Sequence, residues 1–382
     1  MCTGLGTRSW RAGSPPGRTR LHDWSPTMAD DPTFGVSPAD DGIPAHLRHH
    51  GDEDVADGLV DLAVNVRLPA PPPWLRTQLV AGIDTLAAYP DTREATKAVA
   101  ARHGRPLDEV LVTAGAAEAF SLLARALRPR NAVIVHPQFT EPEVALRSAG
   151  HPVSRVLLSA DDGFTLNPHA VGEAADLVVV GNPTNPTSVL HPAETLLALR
   201  RPGRVLVVDE AFADAIPGEP ESLAGQRIPG VLVFRSLTKT WGIAGLRAGY
   251  VLGDPLLVER LRAVQPPWSV STLAGLAVVA CSGAEAAVEA DELTAEAERD
   301  RAFLVDGLRE LGVRVAGKPR APFILITVAD GERVRLRLRE LGYAVRRGDT
   351  FPGLSTDWLR VAVRDRHTTR GFLDALRLAL KE

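Results

Sequence analysis

The chain has 382 residues, of which 45% are apolar and 24% charged, with a formal net charge of −4. That length exceeds a single small core and suits two domains, or one large domain with a smaller lobe. The slight acidity leaves no polyanion-binding footprint, so nucleic acid and membrane surfaces are not expected partners. The only two cysteines, Cys2 and Cys281, imply no disulfide framework and fit a reducing cytosol.

Residues 1–45 are rich in Gly, Pro, Ser, Arg and Asp, lack apolar periodicity and are expected to form a disordered tail. Ahead of Met28 there are arginines but no apolar run of a secretory signal, and Met28 itself offers a second translation start. An N-terminal arm is expected over 46–85. Across 86–264 short apolar, β-branched runs recur at Val110–Thr113, Ala132–Val135, Val153–Leu158, Leu177–Val180, Val205–Val208, Val231–Phe234 and Gly249–Leu252. Helical patterns such as Ala117–Leu127 and Glu141–Ser148 lie between them. Such α/β alternation predicts a mostly parallel sheet covered by helices on both faces. After Pro266-Pro267 the pattern Leu273–Leu311 predicts one long helix. Its apolar part, Thr272–Ala290, is interrupted by Glu285 and is too rich in Ala and Gly for a membrane span. Strands near Val313–Val315, Phe323–Val328, Ala344–Arg346 and Leu359–Val363 complete a smaller α+β domain over 265–382.

In open α/β sheets ligands bind beyond the carboxyl ends of the strands. The residues following each apolar run are Thr113-Ala-Gly-Ala-Ala-Glu118, His136-Pro-Gln-Phe139, Gly181-Asn-Pro-Thr-Asn185, Asp209-Glu-Ala-Phe212 and Ser236-Leu-Thr-Lys239. The run Val205–Val208 carries Asp209 to a partly buried sheet end, where a carboxylate needs a cation or strong hydrogen bonds. A helix cap or structural ion pair would satisfy it, and so would a protonated heterocycle nitrogen. Of 43 basic residues only Lys97, Lys239, Lys318 and Lys381 are lysines, so the lysine between Thr238 and Thr240 points to a need for an amine. Lysine can lose its proton and condense with a carbonyl; arginine cannot. The segment Ser236–Tyr250 adds hydroxyls, Gly242, Gly245, Gly249 and Arg247, a set suited to a phosphate dianion. Glycines do not precede Lys239 as a Walker motif requires, and the later ones are not spaced as G-x-G-x-x-G.

This stretch resembles the lysine segment of fold-type I pyridoxal-phosphate (PLP) enzymes, specifically the class I/II aminotransferases, and the resemblance runs from about His49 to the C-terminus. It implies an α/β fold with a mostly parallel seven-stranded sheet in a large domain and a smaller α+β domain. It implies that Lys239 binds PLP covalently through its amine, with Ser236, Thr238, Arg247 and the backbone of Gly115, Ala116 and Ala117 around the phosphate. Asn185 would bond the ring's phenolic oxygen, Asp209 the ring nitrogen, and Phe139 would stack on the ring. Tyr89 resembles a tyrosine that reaches the neighbouring subunit's cofactor, which implies a homodimer. Arg360 matches an arginine that clamps the substrate carboxylate. Phe139 as plain core, Tyr89 as a turn residue and Arg360 as an edge-strand charge are the bland alternatives.

The stretch from His49 to Pro72 and "QPPWSVSTLAG" resemble the branch that includes threonine-phosphate decarboxylases of cobalamin synthesis, and Phe212 stands where most aminotransferases place a tyrosine. Histidinol-phosphate aminotransferases are the nearest transaminating pattern. Asn65-Val-Arg-Leu68, in place of the branch's usual Asn-Ile-Asn-Pro, and Ser188, in place of a glycine, depart from the usual pattern at positions expected near the substrate mouth, where Asn65 is a candidate substrate-binding residue. His49, His50 and Arg364 are candidates for a substrate phosphate. The expectation is a cytoplasmic, homodimeric PLP enzyme acting on a small, possibly phosphorylated amino acid, by decarboxylation or, as an alternative, by transamination; a non-catalytic PLP-binding protein is the rival of another class. No metal is expected.

Overall fold

A computed structural model describes residues 42–381. The alternative start at Met28 and most of the expected tail lie outside these residues, but the tail's last stretch is built in: Ile43 is buried with Leu47 of the adjoining arm against Val144. Strand β1 (Val60–Leu62) and helices α1 (Pro73–Gly82) and α2 (Arg93–His103) lead into β2 (Val110–Thr113). There follow α3 (Gly115–Ala126), β3 (Ala132–His136), α4 (Glu141–Ser148), β4 (Val153–Leu157), β5 (Leu177–Gly181), α5 (Ala193–Leu197), β6 (Val205–Asp209), β7 (Val231–Ser236) and β8 (Gly249–Gly253).

These seven expected strands, β2 to β8, form one sheet in the order β2-β8-β7-β6-β5-β3-β4. All neighbours pair in parallel except β8, which is antiparallel to both β7 and β2. Every position of β5 is buried, because helices cover both faces and an alternating pattern is not required. The period of two still sorts side chains by face. Val178 and Val180 belong to one apolar cluster, while Leu177 and Val179 join Phe120 and Leu123 of α3 in another.

Helix α6 (Pro255–Val264) starts at Asp254, whose side chain accepts from the amides of Leu256 and Leu257. The long helix expected over Leu273–Leu311 is two helices, α7 (Thr272–Cys281) and α8 (Ala284–Glu310), bent by 76°. The Ser282 hydroxyl donates 2.6 Å back to the Val278 carbonyl, and Gly283 then adopts extended backbone, which ends the first helix. Helix α7 and the start of α8 (Ala286, Ala290) pack with the seven-stranded sheet, whereas Leu304, Val305 and Leu308 pack with the second sheet. Helix α8 thus takes part in both cores. No single helix among the described residues is long and apolar enough to cross a membrane.

The chain closes with β9 (Arg314–Val315), β10 (Phe323–Thr327), α9 (Gly331–Glu340), β11 (Tyr343–Arg347), β12 (Trp358–Ala362) and α10 (Arg366–Ala379). The second sheet runs β1-β11-β12-β10-β9, with β1 contributed from the N-terminal arm in parallel to β11. Arg360 sits in β12 at the centre of that sheet, opposite Leu325 on one side and Arg346 on the other.

Candidate active site

A cavity of about 600 Å³ lies at the carboxyl ends of β5, β6 and β7, where they meet the centre of the second sheet. Twelve of the candidate cofactor and substrate residues from the sequence line it: His50, Asn65, Ala116, Ala117, Phe139, Asn185, Asp209, Ser236, Thr238, Lys239, Arg247 and Arg360. Gly115 stands just behind, at the first turn of α3.

One end of the cavity is built for an anion. The amides of Gly115, Ala116 and Ala117 belong to a first helical turn, whose N–H groups have no acceptor within the helix. The hydroxyls of Ser236 and Thr238 lie 2.8 Å apart. Arg247 is exposed and held at a left-handed φ of 56°. Gly115 permits its approach: a Cβ there would come within 3.0 Å of Arg247 Nη2. Glu118 caps the same helix by accepting from the Ala114 amide at 2.5 Å, leaving the next amides free for a ligand.

Asp209, at the last position of β6, is buried, and its Oδ1 accepts from the Ala211 amide at 3.1 Å. Burial pushes its carboxyl up to about 7, against the pull of that amide and of Lys239. A buried carboxyl short of a cation fits a ligand that brings one, such as a protonated ring nitrogen. The Lys239 amine is drawn down to about 8 by burial, with the guanidiniums of Arg247 and Arg360 pushing the same way. Such an amine keeps a sizeable neutral fraction near neutral pH, as a nucleophile or base requires. Phe139 is half-buried, its ring 6.4 Å from that of Phe120. These features fit PLP: an anion corner, an amine of lowered pKa, an acid on the sheet end and an aromatic face.

Arg360 is buried and donates to Asn185 Oδ1 at 2.5 Å and to the Ala63 carbonyl, while its Nε has no partner. Burial lowers its pKa to about 9. Gly51 makes this packing possible, because a Cβ there would meet the Ala63 carbonyl at 2.8 Å and Arg360 Nη2 at 3.5 Å. Phe212 also lines the cavity and packs edge-on against Phe323 at 4.9 Å, so apolar contact replaces a hydroxyl there.

The structure leaves four candidates outside the cavity lining. Arg364 is not in the lining, and its guanidinium donates to the carbonyls of Asp61, Val64 and Val363. Ser188, expected at the mouth, is fully buried outside the cavity at a φ of 64°, accepting from the Ala321 amide at 2.8 Å. Tyr89 lies outside the cavity, 76% exposed and stacked on Trp268 at 4.3 Å. His49 also stays out of the lining, 3.4 Å from both Glu53 and Asp54. Two charged lining residues were missed in the sequence, Asp52 and Glu141. Glu141 follows the strand-end run His136–Phe139 by two positions, a signal that was available; Asp52 sits in a polar stretch that gave none.

The family described as aminotransferase class I and II matches residues 57–376 of the chain. A histidinol-phosphate aminotransferase of Mycobacterium tuberculosis is 53% identical over 327 residues, covering 84% of this chain and 88% of the relative. A threonine-phosphate decarboxylase of Salmonella typhimurium is 31% identical over 338 residues, covering 85% and 92%. In fold, the crystal structure of a histidinol-phosphate aminotransferase from Clostridium acetobutylicum superposes with a TM-score of 0.78 at 24% identity, covering 85% of this chain and 99% of that one. The protein is thus an enzyme of the class I and II aminotransferases, whose cofactor is pyridoxal 5'-phosphate.

Proposed function

We propose that the protein is a transaminase that moves the amino group of a small amino compound bearing one anionic group, with Lys239 as its catalytic residue. Ser236, Thr238, Arg247 and the first-turn amides of α3 would hold the cofactor's phosphate, Asp209 its ring nitrogen, Asn185 its ring oxygen and Phe139 its face. Bound there, PLP supplies an electron sink for negative charge at the substrate carbon that carries the amine. Arg360 binds the substrate's anionic group and, through its contact with Asn185, draws that group to one side of the cavity. The Lys239 amine then removes the proton from the amine-bearing carbon and returns one later, a task its lowered pKa suits. Asn65 and His50 complete the wall that meets the rest of the substrate.

The observation that carries this reading is the Arg360–Asn185 contact in the same cavity as an amine of lowered pKa. The 53% identical relative, named for an aminotransferase, supports it. Decarboxylation of a phosphorylated amino acid is the second reading, supported by the Salmonella relative. Product analysis separates the two. With histidinol phosphate and 2-oxoglutarate a transaminase forms glutamate; carbon dioxide released from threonine phosphate without any keto acid would instead establish the decarboxylase. Lys239→Ala should lower turnover by at least about 10⁴-fold, and borohydride reduction of the wild-type holoenzyme should leave the pyridoxyl tag on the peptide containing Lys239. A tag elsewhere would refute the assignment.

Two further properties belong to this proposal. A homodimer is supported by the Tyr89–Trp268 stack, since Trp268 too is 60% exposed and two large stacked rings open to solvent suit a partner surface. A cytoplasmic location is supported by the scarcity of cysteine and by Cys281, a free, buried thiol.

A further inference from the structure

The cations near the cavity that could meet a phosphate on a substrate side chain are already engaged. His50 Nε2 lies 2.8 Å from Glu141 Oε1. The guanidinium of Arg364 is spent on backbone carbonyls. Arg346, next to Arg360 in the second sheet, pairs with Asp54 at 3.2 Å and donates to the His49 carbonyl at 2.7 Å. With Arg247 assigned to the cofactor phosphate and Arg360 to the substrate's anionic group, the lining has no unpaired cation left.

What the same wall does offer is of the opposite kind. Asp52 lines the cavity, and its carboxylate has no hydrogen bond or ion pair among the described residues. Asn65 is only 4% exposed, yet both its Oδ1 and its Nδ2 lack a partner. A buried primary amide left open on a cavity wall costs stability unless a ligand completes it. Gly51 holds this segment against Ala63 and Arg360, so Asp52 is carried on backbone packed directly onto the carboxylate clamp. Its charge is close enough to act on the Lys239 amine, raising the pKa that burial lowers.

We infer that Asp52 and Asn65 form a specificity subsite for a cationic or N–H-bearing group on the substrate side chain. A phosphate in that place would face Asp52 and Glu141 with like charge. A substrate carrying one anionic group for Arg360 and an ammonium or imidazolium for the exposed Asp52 meets both with opposite charge, and an N–H on that group offers Asn65 Oδ1 a donor. The inference rests on the transaminase reading only in placing the substrate amine at Lys239.

Spectral titration of the PLP-loaded enzyme tests it, because ligand binding perturbs the cofactor's visible absorption whether or not turnover follows. Ornithine and norvaline differ by one ammonium group; O-phosphoserine places a phosphate instead. Wild type should bind ornithine about fivefold more tightly than norvaline, the size of a partly exposed ion pair, and O-phosphoserine more weakly than norvaline. Asp52→Asn should bring the ornithine-to-norvaline ratio close to one, and Asp52→Lys should invert the order in favour of O-phosphoserine. An unchanged ratio in Asp52→Asn, or wild-type preference for O-phosphoserine over norvaline, overturns the inference. Absence of any cofactor band in PLP-supplied protein would overturn the functional reading and the subsite with it, and so is told apart from failure of the subsite alone.

Discussion

Asp209 and Lys239 show how burial sets the chemistry of single side chains. Both were readable from the sequence because strong local patterns surround them: four apolar residues deliver Asp209 to a strand end, and Lys239 is one of four lysines in an arginine-rich chain. Asp52 was not readable, because an exposed acid in a polar run looks like any solvated charge until the second sheet folds beside it. Arg364 failed for the opposite reason. A charge next to the β12 segment was a reasonable candidate for a substrate phosphate, but only the folded chain shows that carbonyls of the β1 segment take its donors. The raised carboxyl of Asp209 has a measurable consequence. Between the ordinary carboxylate range and about 7 the native apoprotein holds a proton that the unfolded chain has released, so this group makes the apoprotein lose stability as pH rises through that window. Apo Asp209→Asn should show a flatter profile of urea midpoint against pH over the same interval than apo wild type. Equal slopes would remove Asp209 as the cause.

The loop between β5 and α5 illustrates what an element needs from its surroundings. Asn185 is useful only if this loop is held still, and Ser188 holds it. Its hydroxyl accepts from the amides of Ala321 and Arg320, and its carbonyl accepts from the Arg320 amide at 2.8 Å. The left-handed φ there explains why a glycine would be comfortable; serine keeps the hydrogen bonds and tolerates the strain. Ser188→Ala strands the buried Ala321 amide and should destabilise the protein by about 1–3 kcal/mol. Ser188→Gly loses the same bonds but relieves the backbone, so its urea midpoint should lie between those of Ala and wild type. An alanine variant as stable as wild type would show that the hydroxyl contributes nothing. The bend between α7 and α8 is another local decision that periodicity concealed. Both helices keep the apolar spacing through the break, so the pattern read as continuous, while the Ser282 back-bond and Gly283 stop the first helix.

The molecule as a whole joins two cores through α8 and through β1, which leaves the N-terminal arm to become an edge of the second sheet. The active-site cavity sits where these two cores meet, so its residues come from positions as far apart as His50 and Arg360. The Tyr89–Trp268 stack is exposed among the described residues. If a second copy covers it, light scattering should report a dimer, and Trp268→Glu should shift the population toward monomer while weakening PLP retention on dilution. A wild-type monomer that keeps its cofactor would refute the role given to Tyr89.

Local chemistry was enough to specify the strands, the covered parallel sheet and the gathering of polar groups at strand ends, because each depends on neighbours within a few positions: apolar runs bury, and polar groups that follow them surface at strand ends. Long-range packing alone settled the reversed direction of β8, the capture of β1 by the second sheet, the pairing of His50 with Glu141 and the open carboxylate of Asp52. Those outcomes turn on which charges and edges meet between separate segments of the chain, and no spacing along a chain encodes the distance between two side chains that only folding brings together.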